Sequence, residues 1–402
     1  MNCHPREVFV DTTEELVRTA HGHEAACTSC APVRVMSTPR EVQIAITTRC
    51  NLRCFYCYHF DSADDVAEDL PTGEWLRFFS ELNQCAVLSV TLSGGEPFLR
   101  PDLKTLLDGL VRNRLRFRIL SNGTLITDED AEFLRSTRRC DHVQLSIDGP
   151  FAGPHDAMRG AGSFERAMRG LKTLQRHGIR VGVRVTIHQH NLYHLEEIAR
   201  LLLEEHGLRS FSTNVAGYLG LCRRNAAKVQ LNAEQRSWAM ETLLRLERKY
   251  PGRILAQAGP LAEARMWTAM ERARRNGLQW QSHGGYMVGC GGVFKTLAVR
   301  ADGVIVACNQ LPHVELGRIN RDCLRTVWQT HPELQRLRRR RNIPLTEFEF
   351  CRGCQYLSYC TGNCPALAYA MLGNEDHPSP DACLKRFLEE GGRLPPEELW
   401  PA

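Results

Sequence analysis

Cys50-Asn51-Leu52-Arg53-Cys54-Phe55-Tyr56-Cys57 places three cysteines in the spacing C-x3-C-x2-C. An apolar run over 42–46 precedes it and reads as a buried strand. Three soft thiolates at the mouth of a strand suit an iron–sulfur cluster. A cluster of four irons held by three cysteines has one iron without a protein ligand, and an open coordination position is where a metal does chemistry. Two plainer readings compete. A disulfide would strand one thiol, and a zinc site would need a fourth ligand, which His59 offers in a Cys3His set.

Composition narrows the class. The chain has 402 residues, more than one core usually serves, which predicts two domains. Apolar content of 43% and charged content of 24% are those of a soluble globular protein. A net charge of +5 is too mild to argue for nucleic acid. Neither a membrane span nor a signal-peptide core stands out, so a cytoplasmic location is expected. In a reducing compartment, 17 cysteines point to metal or redox work rather than disulfides. They cluster, three in 50–57 and four in 351–364. The pair Cys27/Cys30 makes half a metal site and is read as incidental to an N-terminal extension over 1–40.

From 41 to about 215, short apolar runs alternate with amphipathic stretches. Strands are expected over 42–46, 87–92, 116–120, 142–147, 180–187 and 209–213, with helical patterns between them. Such alternation implies an α/β fold with a parallel sheet. Six units are too few for an eight-fold barrel, so a partial (β/α)6 TIM-type barrel is the economical solution, with chemistry at the carboxyl ends of its strands.

The polar motifs fall at those ends. Ser93-Gly94-Gly95-Glu96-Pro97 follows the second strand; its glycines are expected to let a ligand approach the backbone and its carboxylate to hold an ammonium group. Ser121-Asn122-Gly123-Thr124 follows the third, Ser146-Ile147-Asp148-Gly149 the fourth, and Arg184 lies within the fifth. Any one of these is most simply a turn; four in succession after a three-thiol loop are not.

C-x3-C-x2-C with an aromatic before its last cysteine, followed by Gly-Gly-Glu-Pro, resembles the signature of the radical S-adenosylmethionine enzymes. The resemblance implies that Cys50, Cys54 and Cys57 bind a [4Fe–4S] cluster whose open iron chelates S-adenosylmethionine. It places Glu96, with Gly94 and Gly95, at the cofactor's amino group. Ser121, Asn122 and Ser146 fall near its ribose, Arg184 at its carboxylate, and the Tyr56 backbone near its adenine. Reductive cleavage then gives a 5′-deoxyadenosyl radical that abstracts hydrogen from substrate.

Residues 231–285 read as bridging helices, and 286–402 as a second, cysteine-rich domain. There a short hairpin over 296–306 is flanked by thiols, as in metal-stapled modules. Cys290, Cys308, Cys351, Cys354, Cys360, Cys364 and Cys383 resemble the seven-cysteine pattern of the SPASM domain, which carries two auxiliary [4Fe–4S] clusters. By that resemblance Cys290, Cys308 and Cys364 hold the inner cluster, and Cys351, Cys354, Cys360 and Cys383 the outer one. The inner set is one ligand short. Either its iron is open, or Cys222, Cys323 or His283 completes it. Zinc remains the plainer reading of C-x2-C-x5-C-x3-C. Cys222, in the loop after the sixth strand, is also a candidate hydrogen donor to a substrate radical. The run Arg338–Arg341 reads as a solvated helix face, with docking of an acidic peptide or electron donor as the alternative.

The resemblance implies a peptide or protein substrate, modified by crosslinking, epimerisation or oxidation. It also implies a reductant such as flavodoxin or ferredoxin, and a separate leader-binding partner. The strand-end phrases are similar to the radical SAM/SPASM proteins of SynChlorMet peptide cassettes. A radical enzyme acting on a tetrapyrrole or sugar is the alternative, and an iron–sulfur electron carrier the remote one.

Overall fold

The computed structural model describes residues 35–60, 66–278, 284–287 and 290–401; Cys27, Cys30 and His283 lie outside them. The chain alternates strand and helix as the apolar pattern requires. β1 (Glu41–Ala45), α1 (Thr72–Gln84), β2 (Ser89–Ser93), α2 (Leu103–Arg112), β3 (Arg116–Ser121), α3 (Asp128–Thr137) and β4 (Cys140–Ser146) come first. Two helices follow, α4 (Ala152–Arg159) and α5 (Ser163–Arg176), then β5 (Val181–Ile187), α6 (Leu195–Arg200) and β6 (Phe211–Val215). Local chemistry sets several boundaries. Thr127 and Asp130 form a reciprocal cap at the start of α3. Along α5, Phe164, Ala167, Met168, Leu171 and Leu174 recur at helical spacing and form its buried stripe.

Six parallel strands were expected, and the alternation continues beyond them. After α7 (Gly220–Arg224), α8 (Ala226–Val229) and α9 (Ala233–Lys249), β7 (Ile254–Ala256) pairs in parallel with β6, and α10 (Pro260–Arg275) follows. β7 is only three residues long, too short to show a period, which is why the sequence pattern misses it. α4 is hidden for a related reason: Gly149, Gly153 and Pro154 read as loop punctuation, although Pro154 falls in the first turn of α4, where its missing N–H costs nothing.

The expected hairpin is β8 (Thr296–Val299) with β9 (Val304–Val306), and β10 (Glu315–Arg318) extends it. β8 lies alongside β1 in parallel, Glu41 opposite Thr296 and Ile44 opposite Val299. One sheet of ten strands results, ordered β10-β9-β8-β1-β2-β3-β4-β5-β6-β7. α11 (Leu324–Thr330), α12 (Pro332–Arg339), α13 (Pro365–Leu372) and α14 (Leu384–Glu389) complete the chain. Residues 36–402 form one compact unit. Among the described residues no helix is long and apolar enough to cross a membrane.

The two faces of the sheet differ in chemistry. Val42, Ile44, Val90, Leu92, Phe117, Ile119, Val143, Leu145, Val183 and Val185 are buried on the helix side. The alternate positions form the inner face and are largely polar: Gln43, Thr91, Arg118, Gln144, Ser146, Arg184, Thr186, Ser212 and Asn214. On it Glu41 accepts hydrogen bonds from Thr91 at 2.6 Å and Arg118 at 2.8 Å. Most of these side chains are half-buried, as on the wall of a water-filled lumen. The carboxy-terminal module reaches into it, where Asn309 donates to Gln43 at 3.1 Å.

The arginine run is not the solvated face expected throughout: Arg339 is exposed and Arg341 half-buried, but the other two are buried. Arg338 and Arg340 are each 1% exposed. Arg338 lies over the Trp328 ring and donates to the carbonyls of Trp328 and Val293 at 2.8 and 3.0 Å. Arg340 faces Asp376, 3.4 Å away, and has the Cys290 and Cys364 thiols near it. A count of charges in sequence cannot register the carbonyls and carboxylate waiting for them.

Candidate active site and cluster sites

The ten cysteines singled out in the sequence gather into three groups. Cys50, Cys54 and Cys57 act on one another electrostatically. Cys308 has Cys290 and Cys364 as neighbours. Cys351, Cys354, Cys360 and Cys383 form the third group and line one small cavity with Leu345 and Leu357. Backbone N–H groups two residues along aim at several of the sulfurs: Leu52 at Cys50 (3.5 Å), Gly292 at Cys290 (3.3 Å), Gln310 at Cys308 (3.4 Å) and Gly362 at Cys360 (3.5 Å). Such donors stabilise thiolates. Burial pushes the thiol of Cys50 up to about 11 and that of Cys54 up to about 12. Cys308 is likewise raised to about 11 and Cys351 to about 12. The thiols therefore keep their protons until metal displaces them. Among the described residues, no three His, Cys, Asp or Glu side chains close around one point as a single ion requires. The three all-thiol sets are the soft donors that iron–sulfur clusters take, and in that chemistry they fit clusters.

The loop that carries the first group is shaped by its neighbours. Gly95 N donates to Thr47 O, and Glu96 N to Arg49 O, both at 2.8 Å. A Cβ on Gly94 would lie 2.3 Å from Thr47 O, and one on Gly95 2.1 Å from Arg49 O. The glycines were expected to admit a ligand. What approaches them is the chain's own backbone just before Cys50. Gly220, at φ +54°, has the same role on the other side, against the carbonyls of Cys57, Tyr58 and Phe60.

Glu96 is completely buried. Its carboxylate accepts from Phe98 N (3.1 Å), Ser121 Oγ (2.8 Å) and Asn122 N (2.7 Å). The Ser121 hydroxyl is thus turned to Glu96, and Asn122 Nδ2 to Asn51 (2.9 Å) and Cys50 Sγ (3.9 Å). Both brace the strand ends instead of lining an open ribose pocket. Burial pushes Glu96 from the usual 4.5 up to about 7, against the pull of these donors.

Ser146 and Arg184 are register partners on the inner face. The buried Arg184 Nε has no hydrogen-bond partner among the described residues, a cation ready for an incoming carboxylate. Tyr58, next to Cys57, has Cys57, Cys308 and Arg184 as electrostatic neighbours, so it stands between the first and inner groups. Its ring is 40% exposed, while the surrounding protein raises its hydroxyl to about 12. Both hold for a side chain on a chamber wall.

Tyr56 is buried beneath the loop, its ring stacked on His188 at 5.7 Å and its hydroxyl donated to Asp148. Cys222 is fully buried among Tyr56, Met158, Ala216 and Val229, and its sulfur accepts from Gln230 at 3.2 Å. It neither opens on the lumen nor joins Cys290, Cys308 and Cys364. Cys323 lies beside Cys85 instead. Arg159, at the end of α4, is absent from the sequence expectations although it pairs with Asp148 at 2.5 Å. Its signal is an isolated arginine just past His155-Asp156, in a stretch to which the sequence pattern assigns no element.

Comparison with known proteins rests on this geometry. Residues 44–202 match the Radical SAM superfamily, and residues 290–355 match SPASM, an iron–sulfur cluster-binding domain. The chain belongs to the radical SAM superfamily and carries a SPASM domain. It is an enzyme that uses S-adenosylmethionine and a [4Fe–4S] cluster, with auxiliary iron–sulfur clusters in its SPASM domain. This radical SAM/SPASM enzyme is 27% identical over 348 residues to the PqqA peptide cyclase of Ruegeria pomeroyi, covering 86% of this chain and 87% of that protein. It is 28% identical over 348 residues to the Fe-coproporphyrin III synthase of Methanosarcina barkeri, covering 82% and 84%. Its fold matches Streptococcus suis SuiB bound to precursor peptide SuiA, with a TM-score of 0.67, 17% identity, and 87% and 77% coverage.

Proposed function

We propose that this radical SAM/SPASM enzyme abstracts hydrogen from a peptide substrate held in the lumen between the first and inner cysteine groups. The observation that carries this reading is the chemistry of the wall. Gln43, Gln144 and Asn214 on the inner face, with Asn309 and Gln310 after Cys308, present primary amides. Amides both donate and accept, as a peptide backbone demands. Among the described cations at this face, Arg118 and Arg116 are already paired with Glu41 and Asp141, and the unpartnered Arg184 is the one taken by the cofactor's carboxylate. The similarity to a peptide cyclase over most of both chains supports the same reading. The comparable similarity to a coproporphyrin-related synthase supports a tetrapyrrole as the second reading. That substrate would call for unpaired cations against its carboxylates and an apolar slot for its ring.

In this reading Cys50, Cys54 and Cys57 hold the first cluster. Cys290, Cys308 and Cys364 hold the inner one with an open iron, and Cys351, Cys354, Cys360 and Cys383 the outer one. Bound S-adenosylmethionine supplies the radical. Arg184 takes its carboxylate beside Ser146, and Glu96 braces the β2 and β3 ends against the Cys50 loop. Of the Glu96 oxygens, Oε1 accepts two hydrogen bonds and Oε2 one, which leaves Oε2 the acceptor site for an ammonium group. A flavodoxin or ferredoxin supplies the electron, and a separate partner presents the leader of the substrate.

Anaerobic reconstitution tests the cluster assignment. Wild type should hold about twelve irons, four in each of three clusters. The triple variant Cys50→Ala/Cys54→Ala/Cys57→Ala should lose about a third and make no 5′-deoxyadenosine; if it still does, the assignment fails. Co-expression with a short peptide encoded nearby, followed by mass spectrometry, tests the substrate. A mass change or altered stereocentre that requires Cys50 supports the peptide reading; turnover of a tetrapyrrole instead overturns it.

A further inference from the structure

The loop bearing Cys50, Cys54 and Cys57 rests on a buried ionic network for which the reaction above has no use. Arg159 ends α4 and is itself buried. Its guanidinium turns back beneath the loop. Nε donates to Asp148 Oδ2 at 2.5 Å, Nη1 lies 3.9 Å from Cys54 Sγ, and the guanidinium carbon is 5.2 Å from the centre of the Tyr56 ring. Asp148 is fixed from every side. Thr186 N donates to Oδ1 at 2.7 Å, the Tyr56 hydroxyl to Oδ2, and Asn191 Nδ2 to the Asp148 carbonyl at 2.7 Å. The backbone joins in, with Phe55 N donating to Met158 O at 2.9 Å.

A buried ion pair is a poor way to gain stability, since desolvating both charges offsets most of their attraction. A well-packed apolar side chain would seat α4 as well. What the pair adds is direction. The positive end faces the Cys54 sulfur, and the negative end is held by two further donors, Thr186 N and the Tyr56 hydroxyl. At Cys54 the influence of Arg159 exceeds that of Asp148. A positive charge and an N–H aimed at a cluster sulfur draw electron density from the metal, and hydrogen bonds to the sulfurs are among the levers that set a cluster's potential.

We propose that Arg159, anchored by Asp148, is a positioning residue that raises the reduction potential of the cluster held by Cys50, Cys54 and Cys57, by presenting a fixed cationic N–H to the Cys54 sulfur. The step it eases is the entry of one electron, from a low-potential flavin or iron–sulfur protein, taking the cluster from the 2+ to the 1+ state. No bond breaks and no proton moves. The proposal rests on the cluster assignment to these three cysteines, which the iron count of the triple cysteine variant tests separately.

The test is an EPR-monitored redox titration of the reconstituted full-length enzyme. The first cluster is recognised as the one whose signal changes when S-adenosylmethionine is added. Arg159→Gln should shift that midpoint to lower potential, leaving the auxiliary signals in place. A tenfold fall in the reduced-to-oxidised ratio at fixed poise corresponds to about 59 mV for one electron. Asp148→Asn, which keeps the cation and removes its counter-charge, should shift the same midpoint upward. Opposite signs establish the role. An unchanged midpoint in Arg159→Gln at full iron content overturns it and leaves Arg159 as a packing residue. If Arg159→Gln fails to hold iron, Asp148→Asn decides: an unchanged or lower midpoint there also overturns the proposal.

Discussion

Glu96 spends its buried carboxylate on holding two strand ends together, and its titration should report that. A folded-state value raised from 4.5 to about 7 means that the folded chain binds the proton more tightly than the unfolded chain. The associated stability is fully present below about pH 4.5 and is lost as pH rises to about 7. In the metal-free protein, the difference in melting temperature between wild type and Glu96→Gln should therefore change across that window and level off above it. Melting curves at stepped pH check this; a constant difference from pH 4 to 8 would refute it. At any pH the glutamine must turn an NH2 toward Ser121 or Asn122, and a buried donor left unpaired costs about 1–3 kcal/mol. For Cys222 the outcome is simpler. Its full burial makes Cys222→Ala a loss of packing, about 1–2 kcal/mol. Cleavage of S-adenosylmethionine should stay within about twofold of wild type, as quantified 5′-deoxyadenosine would show. At this scale the grouping of the thiols was legible from spacing, and the place of Arg184 on β5 from the strand pattern. The partners of Ser121 and Asn122 were not, because spacing shows where a residue sits along a strand but not which way its polar atoms turn.

Elements supply the positions. The cysteine loop stays in place because three glycines let neighbouring backbone press against it. Gly95→Ala would drive a methyl group to 2.1 Å from Arg49 O. It should cost the protein about four of its roughly twelve irons while the auxiliary clusters remain, as iron analysis and EPR of the reconstituted variant would reveal. Periodicity located the six long strands and most of the helices, since one buried face per element leaves a clear signature. It did not find β7, whose three residues show no period, or α4, whose proline and glycines look like a turn. That second omission hid Arg159. Charge counting failed at Arg338 and Arg340, where a basic run in sequence is two buried anchors in space.

For the whole molecule, the decisive feature is that β1 is paired on both sides, by β2 and by β8. The barrel and the cysteine-rich module share one sheet. A chain cut after residue 285 would leave β1 as a bare edge, which is a template for aggregation. Such a truncation should elute as aggregate on size-exclusion chromatography where the full chain does not. A soluble, monodisperse truncation would show that the barrel closes without the module. The sequence separated two cysteine fields and implied two domains, but strand pairing across 250 residues leaves no local trace.

That shared ladder also works as a ruler. Cys50 follows the carboxyl end of β1, and Cys290 precedes the amino end of its parallel neighbour β8. The two groups they belong to therefore sit at opposite ends of one strand pair, whose four paired residues span about 13 Å at 3.3 Å each. A hydrogen-bonded ladder does not stretch, so strand length rather than a hinge fixes the separation of the two ends from which the Cys50 and Cys290 loops spring. Under the proposed peptide reading, a substrate is gauged against that fixed span, and chain beyond it leaves through the sides of the lumen.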